Sequence, residues 1–316
     1  MLVAPTGKSD PPQPARAGKI GPMTSAPQTS DARDSDQAIR SRIDAALASY
    51  LTRIQHDELR TASEYAVLGG GKRVRPLIAY RACEIGGAPG AAALPAACAF
   101  ELIHAFSLIH DDLPALDDDD LRRGRPTVHK KFGECTAVLT GDLLQSMAMV
   151  IAAESEHQAD QITREVGLAT IAMIEGQSWD TMGNFPADLD EPGRLELIHS
   201  HKTAALIRGS ARCGALAANA DARLVDALGD WGSAVGLMFQ VVDDLLDETQ
   251  STEHLGKTAG KDRDQGKRTY PAIHGLEGTQ EAIKGLETAA NNALGHCGAE
   301  ANPLRELTAT LAQRTR

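Results

Sequence analysis

The residues best suited to chemistry in this sequence are carboxylates. Asp111, Asp112 and Asp117 stand in Asp111-Asp112-Leu113-Pro114-Ala115-Leu116-Asp117, and the acidic run continues through Asp118, Asp119 and Asp120. It follows an apolar stretch containing Leu102, Ile103, Leu108 and Ile109. If that stretch is helical, its C-terminal end already carries partial negative charge, so further anions there are unfavourable. A bound cation would compensate, and hard oxygen ligands select Mg²⁺ or Ca²⁺. Asp111 and Asp117 are six residues apart and would not share a face of an unbroken helix. Pro114 disfavours helical geometry at Leu113, and a bend there would bring Asp117 back beside Asp111. A second cluster, Asp243, Asp244 and Asp247, closes the largely apolar segment from Val235 to Val242. Asp243 and Asp247, at i and i+4, share one helical face. A lone acidic helix end is more often simply solvated; two of them, each ending an apolar helix, weigh against that reading. EF-hand spacing is absent.

Basic residues accompany the carboxylates, and the pairing suggests a phosphate ligand, because Mg²⁺ commonly bridges carboxylates and substrate phosphates. One group is Gly69-Gly70-Gly71-Lys72-Arg73-Val74-Arg75-Pro76, where glycines permit close backbone approach and Arg75 offers a planar fork to phosphate oxygens. It is not a P-loop, since GxxxxGK[ST] is missing. Another is Arg122-Arg123-Gly124-Arg125-Pro126, for which plain charge balance is an equal alternative. Lys202, Lys257, Lys261 and Lys267 flank the second acidic cluster, and residues 255–262 form a glycine-bearing segment able to close over a ligand.

The elements that must position these groups read as helices. Apolar residues recur at helical spacing from Ile39, and alternating β-branched stretches are scarce. Helices are predicted from about residue 36, then over 57–68, 74–86, 91–113, 135–153, 159–180, 191–219, 221–247, 269–295 and 302–314. The breaks fall at Gly/Pro clusters near 69–71, 86–89 and 183–186 and over 255–266. The expectation is an all-α fold with a single domain over residues 36–316. Residues 1–35 read as a disordered arm. Acidic residues Asp10, Asp31, Asp34 and Asp36 count against a transit peptide, and a true start at Met23 is an alternative.

The chain has 316 residues, 42% of them hydrophobic, with a net charge of −11, which argues against nonspecific nucleic-acid binding. No apolar run was expected to approach the length of a membrane span, so no stable membrane insertion is anticipated. Five scattered cysteines, never in CxxC spacing, suggest neither a disulfide framework nor a zinc site and fit a cytoplasmic location.

The motifs GGGKRVRP (69–76), HAFSLIHDDLPALDDDDLRRGRPTVHKKFGE (104–134), GQ (176–177), HKTAALI (201–207), FQVVDDLLD (239–247), LGKTAGKD (255–262) and GKRTYP (266–271) occur in order. Through them the chain resembles the all-trans short-chain isoprenyl diphosphate synthases, of the bacterial farnesyl and geranylgeranyl type. The resemblance implies an α-helical bundle with a central cavity, usually a homodimer, of the type I isoprenoid synthase fold. It implies about three Mg²⁺ ions, with Asp111, Asp112 and Asp117 serving two and Asp243, supported by Asp244 and Asp247, the third. Arg122, Lys202, Lys257 and Lys267 match positions around the allylic diphosphate (dimethylallyl or geranyl). Lys72, Arg75, His104 and Arg123 match the isopentenyl diphosphate site, and Thr203 and Gln240 lie near the reacting carbons. By itself His104 reads as a hydrogen-bonded core histidine, and only the resemblance makes it a ligand.

Phe106 lies five residues before Asp111, about 7.5 Å along a helix. An aromatic residue there, with two extra residues inside the first acidic motif, resembles the farnesyl-producing pattern, so the expected product is farnesyl diphosphate. Plain core packing is the other reading of Phe106. Geranylgeranyl diphosphate is the nearest alternative product. A terpene cyclase would not need Lys72, Arg75 and Arg123, and a noncatalytic synthase subunit can lose metal ligands that are complete here.

Overall fold

Helix boundaries follow the capping and breaking residues closely. The structure, a computed structural model, describes residues 34–249 and 268–314. Lys257, Lys267, the segment 255–262 and nearly all of the expected arm lie outside the described residues. Ser35 caps α1 (Asp36–Leu51) by accepting from the Ala38 N–H at 3.2 Å, and Ile39, Ile43, Leu47 and Leu51 form its buried stripe. There follow α2 (Asp57–Val67), α3 (Val74–Ile85), a 3₁₀ turn at Gly90–Ala93 and the central α4 (Leu94–Asp111). A short hairpin, β1 (Leu121–Arg122) and β2 (Arg125–Pro126), leads into α5 (Val128–Phe132), α6 (Glu134–Ala152) and α7 (Ala159–Met182). Next come α8 (Glu191–Ile198), a π-helical stretch His199–Ala204, α9 (Ala205–Ala217) and α10 (Ala222–Thr249). Helices α11 (Tyr270–Ala293) and α12 (Asn302–Ala312) complete the bundle.

Three departures from the expected pattern occur. The hairpin is antiparallel, pairing Leu121 with Pro126 and Arg122 with Arg125, and its turn residues Arg123 and Gly124 both have positive φ (53° and 73°). That is the backbone signature of a two-residue I′-type turn, which has no hydrophobic periodicity to betray it. The helix expected over 191–219 is divided by the π stretch. Helix α11 is kinked at Gly275, where φ is 70°.

Helix α4 packs against α3, α6, α7 and α9, while α10 lies against α9, α11 and α12. Its middle turns, from Ala96 to Ile103, are buried throughout, as expected of a helix surrounded by others. Residues Gly90–Asp111 and Glu134–Ala152 are long and apolar enough to cross a membrane by length and composition, contrary to the expectation that no such run exists. The first is mostly buried inside the bundle. The second turns Val138, Leu139 and Val150 outward, and α7 likewise exposes Leu168, Ile171 and Ile174.

Trp231 on α10 is fully buried, and its indole N–H donates to Thr308 Oγ1 on α12 at 3.0 Å. Trp231→Ala would leave a cavity and remove the hydrogen bond to Thr308, and should cost about 3–5 kcal/mol in denaturant unfolding. A loss below about 1 kcal/mol would show that α12 does not contribute to the cooperative core.

Candidate active site

Helix α4 ends at Asp111, and the chain then turns back on itself. The Asp117 N–H donates to the Asp111 carbonyl at 2.9 Å, and the Asp119 N–H to the Asp112 carbonyl at 3.2 Å. The bend at Pro114 therefore returns Asp117 to the end of α4. Asp112 turns inward, almost fully buried, and both its oxygens accept from Arg122 (2.6–2.9 Å). As placed, Asp112 acts on the site through Arg122, which it fixes at the mouth of the hairpin.

Lys202 projects from the π stretch. Two glycines let neighbouring helices press against that stretch: a Cβ at Gly176 on α7 would come within 2.3 Å of the Lys202 nitrogen, and one at Gly236 on α10 within 2.5 Å of the Ala204 Cα. A π segment widens the helix by one residue per turn and re-aims its side chains, and such segments frequently mark functional sites. Burial works against the Lys202 ammonium, but Asp180, 2.5 Å away, together with Asp111 and Asp117, raises its pKa. Burial pushes Asp111 up to about 6; Lys202 opposes this and Asp117 reinforces it. The end of α4 thus carries two mutually repelling carboxylates facing a cation.

The second acidic cluster is tied to the π stretch by polar side chains. Thr203 Oγ1 donates to Gln240 Oε1 at 2.9 Å, and Gln240 Nε2 donates to Asp244 Oδ1 at 3.0 Å. Asp244 Oδ2 accepts the Tyr270 N–H at 2.8 Å and lies 3.4 Å from His199 Nε2. Asp244 therefore anchors α10 to the start of α11. Its neighbour Asp243 is half-buried and pairs with Arg314 at 2.8 Å.

Two cavities meet at this site. One, of about 480 Å³, has Asp111, Lys202 and Thr203 in its wall with Phe106, Met173 and Leu206. The other, of about 440 Å³, has Lys72, Arg73, Arg75, Arg123 and Phe239. Arg75 and His104 belong to both walls. Burial, reinforced by Arg75, Arg123, Arg122 and Arg73, holds the His104 imidazole well below its ordinary value, so it is neutral at pH 7. Burial, with Arg123 adding to it, pulls Arg75 down as well, and its Nε has no hydrogen-bond partner among the described residues. A half-buried guanidinium with an unused donor suits an anion. Phe106 stacks edge-on against His110, with centroids 5.0 Å apart, and His110 Nε2 lies 3.1 Å from the Val138 carbonyl.

The structure thus brings together Lys72, Arg75, His104, Phe106, Asp111, Asp117, Arg123, Lys202, Thr203 and Gln240. Among the described residues no three His, Cys, Asp or Glu side chains converge closely enough to form a metal cage. The donor set still suits Mg²⁺, which takes one or two carboxylates and fills its remaining positions with water and phosphate oxygens. Sequence reasoning missed Asp180, although it lies one turn beyond Gln177 of the GQ motif on α7. It also missed Arg314, a single arginine near the chain end with no motif around it.

The polyprenyl synthetase family model matches residues 56–301. The chain belongs to this family. A heterodimeric geranylgeranyl pyrophosphate synthase large subunit from Arabidopsis thaliana is 43% identical over 267 residues, covering 82% of this chain and 71% of that protein. A crystal structure of a geranylgeranyl pyrophosphate synthase superposes with a TM-score of 0.83 at 26% identity, covering 90% of this chain and all of that one. A polyprenyl synthase from Caulobacter crescentus, complexed with calcium and isoprenyl diphosphate, superposes at 0.79 with 26% identity, covering 89% and 96%. The all-α architecture is thus that of the family, and Asp111 ends its helix inside the matched region.

The raised Asp111 pKa has a consequence for stability. Its folded value, about 6, exceeds the ordinary 3.8, so the charged form is disfavoured in the folded state. The penalty is present in full above pH 6, shrinks as pH falls through 6, and vanishes below 3.8. A shift of that size corresponds to roughly 3 kcal/mol. In metal-free buffer, Asp111→Asn should therefore melt above the wild type at pH 7.5, and the two should converge near pH 4. Parallel melting curves across that range would exclude a strained carboxylate.

Proposed function

We propose that this chain joins isopentenyl diphosphate to an allylic diphosphate, releasing pyrophosphate and a longer prenyl diphosphate. The observation that carries this reading is the pair of cavities sharing Arg75 and His104, one acidic and apolar, the other basic. A bisubstrate condensation needs two anionic headgroups held apart while their carbon chains meet.

Asp111 and Asp117 at the end of α4, and Asp243 on α10, would hold Mg²⁺. Bound there, the metal would neutralise negative charge on the departing diphosphate. Lys202 and Arg122 add positive charge on the same side, so that breaking the allylic C1–O bond develops pyrophosphate against fixed cations. Lys72, Arg75 and Arg123 orient isopentenyl diphosphate in the basic cavity. His104, neutral, can donate or accept a hydrogen bond there without adding to the surrounding positive charge. The C4 carbon of isopentenyl diphosphate then bonds to allylic C1, and the proton lost from C2 passes to the pyrophosphate, so no side chain is required as base. Thr203 and Gln240 hold the π stretch against α10 beside the reacting carbons. Met173, Leu206 and Phe106 keep water from the cationic centre. Lys257 and Lys267 keep their expected diphosphate role as part of this proposal.

For product length, the geranylgeranyl synthases among the relatives favour twenty carbons over the farnesyl product expected from the sequence. A specific observation supports the fifteen-carbon reading: Phe106 lies in the cavity wall, its ring braced by His110. Purified protein with isopentenyl diphosphate, dimethylallyl diphosphate and Mg²⁺ should yield a prenyl diphosphate, detected by mass spectrometry, and none without metal. A C20 product from wild type supports the relatives' reading. A C15 product that lengthens in Phe106→Ala supports the ring as a floor. No condensation from any allylic diphosphate would instead indicate a noncatalytic subunit.

We further propose a homodimer formed through the outward apolar residues of α6 and α7. Light scattering should give about twice 33.5 kDa. Leu139→Glu with Ile171→Glu should reduce it to the monomer mass. An unchanged mass in the double variant would place the interface elsewhere.

A further inference from the structure

Tyr65, on α2, belongs to no acidic or basic motif, yet it joins two of them. Its hydroxyl donates to the Pro126 carbonyl in β2 at 2.7 Å. The Arg125 guanidinium sits 4.1 Å from its ring centroid and the Lys131 ammonium 3.9 Å, while Phe132 packs edge-on at 5.5 Å. From the hairpin, Arg125 donates to the Gly69 carbonyl at 3.2 Å and Arg123 donates to the Gly70 carbonyl. Gly69 has no room for a side chain: a Cβ there would come within 2.5 Å of both the Arg125 guanidinium and the Tyr65 carbonyl. The hairpin is thus fastened to the glycine loop by two side-chain hydrogen bonds, and to α2, which leads into that loop, by the Tyr65 hydroxyl and by the Arg125 guanidinium over its ring.

We propose that Tyr65 and Arg125 are positioning residues for isopentenyl diphosphate, clamping the hairpin to the glycine loop so that Arg123, Lys72 and Arg75 face one cavity. The proposal rests on the function inferred above. The physical need is clear. Three cations around one cavity repel each other, and long exposed side chains lose rotamer freedom when a ligand orders them. A clamp made of backbone carbonyls and a ring fixes them beforehand. Arg123 depends on it, because its hydrogen bond to the Gly70 carbonyl is part of the clamp. Arg122, one residue earlier, does not, because Asp112 holds it with hydrogen bonds to both carboxylate oxygens at the end of α4. Loosening the clamp should therefore weaken one substrate and spare the other.

The test uses the full chain with Mg²⁺ and compares wild type, Tyr65→Leu, Arg125→Ala and Tyr65→Phe. Steady-state kinetics give KM for each substrate, calorimetry gives Kd for isopentenyl diphosphate, and thermal melting checks the fold. In Tyr65→Leu and Arg125→Ala, KM and Kd for isopentenyl diphosphate should rise about tenfold, with KM for the allylic diphosphate within about twofold. Tyr65→Phe, which keeps the ring and loses the hydroxyl, should fall between. Rescue by Phe and a split between the two KM values are effects that general destabilisation would not produce. If Tyr65→Leu fails to fold, Arg125→Ala, an exposed site, decides. Both KM values rising together, or an unchanged isopentenyl diphosphate Kd, overturns the clamp. A wild type that binds isopentenyl diphosphate without condensing it defeats the proposed function alone, and the Kd comparison still decides the clamp. A wild type that does not bind it overturns both.

Discussion

The site depends on a carboxylate held where electrostatics disfavours it. Asp111 stands at the C-terminal end of a buried helix, beside Asp117 and away from bulk water. Both the helix dipole and the lost solvation oppose its charge. The fold answers with a cation from a different helix, Lys202, itself held by Asp180. Substrate diphosphates and their metal would meet this prearranged imbalance. That is how a fixed field can favour a leaving pyrophosphate without reorganising during the reaction.

The helical scaffold presents the charges of the site from separate elements. Asp111 comes from α4, Lys202 from the π stretch, Asp243 from α10 and Arg75 from α3. Each is carried by an element whose other faces are committed to the core. The π stretch shows the device clearly: close approach by Gly176 and Gly236 packs the backbone that carries Lys202 tightly against α7 and α10. On the basic side, Arg73 adopts a left-handed backbone conformation (φ 49°) at the start of α3, and its guanidinium bonds Asp44, Glu101 and the Val67 carbonyl. One buried arginine therefore ties α1, α2 and α4 to the loop that presents Lys72 and Arg75.

Under the proposed function, the two cavities would divide the labour of a condensation. One wall is lined to receive an apolar tail below an acidic rim, and the other to receive a compact anion. Their shared residues, Arg75 and His104, mark where the two substrates would touch. In the proposed function, product length would turn on a smaller matter, the depth left beneath Phe106. A single ring in a lipid-shaped cavity changes its usable length without altering the headgroup chemistry.

Much of this was legible in the residues themselves. Helical periodicity and Gly/Pro punctuation placed most helix ends within a few residues, because those signals are local. The acidic and basic motifs named most of the site, since their types are costly anywhere a ligand does not compensate them. The return of Asp117 to Asp111 was permitted by Pro114 but fixed only by the folded backbone, where the Asp117 N–H meets the Asp111 carbonyl. Other features needed the tertiary structure. The π stretch depends on two glycines far along the chain, at 176 and 236. The partners of Lys202 and Asp243, Asp180 and Arg314, come from other segments and have no spacing relation to them. The hairpin turn has no periodicity, and Tyr65 looks like any half-buried aromatic until Arg125 and Lys131 are seen around it. Sequence determined which groups could do chemistry, because composition and local spacing are written along the chain. Which groups face one another was decided only by packing, because that is a relation between distant segments.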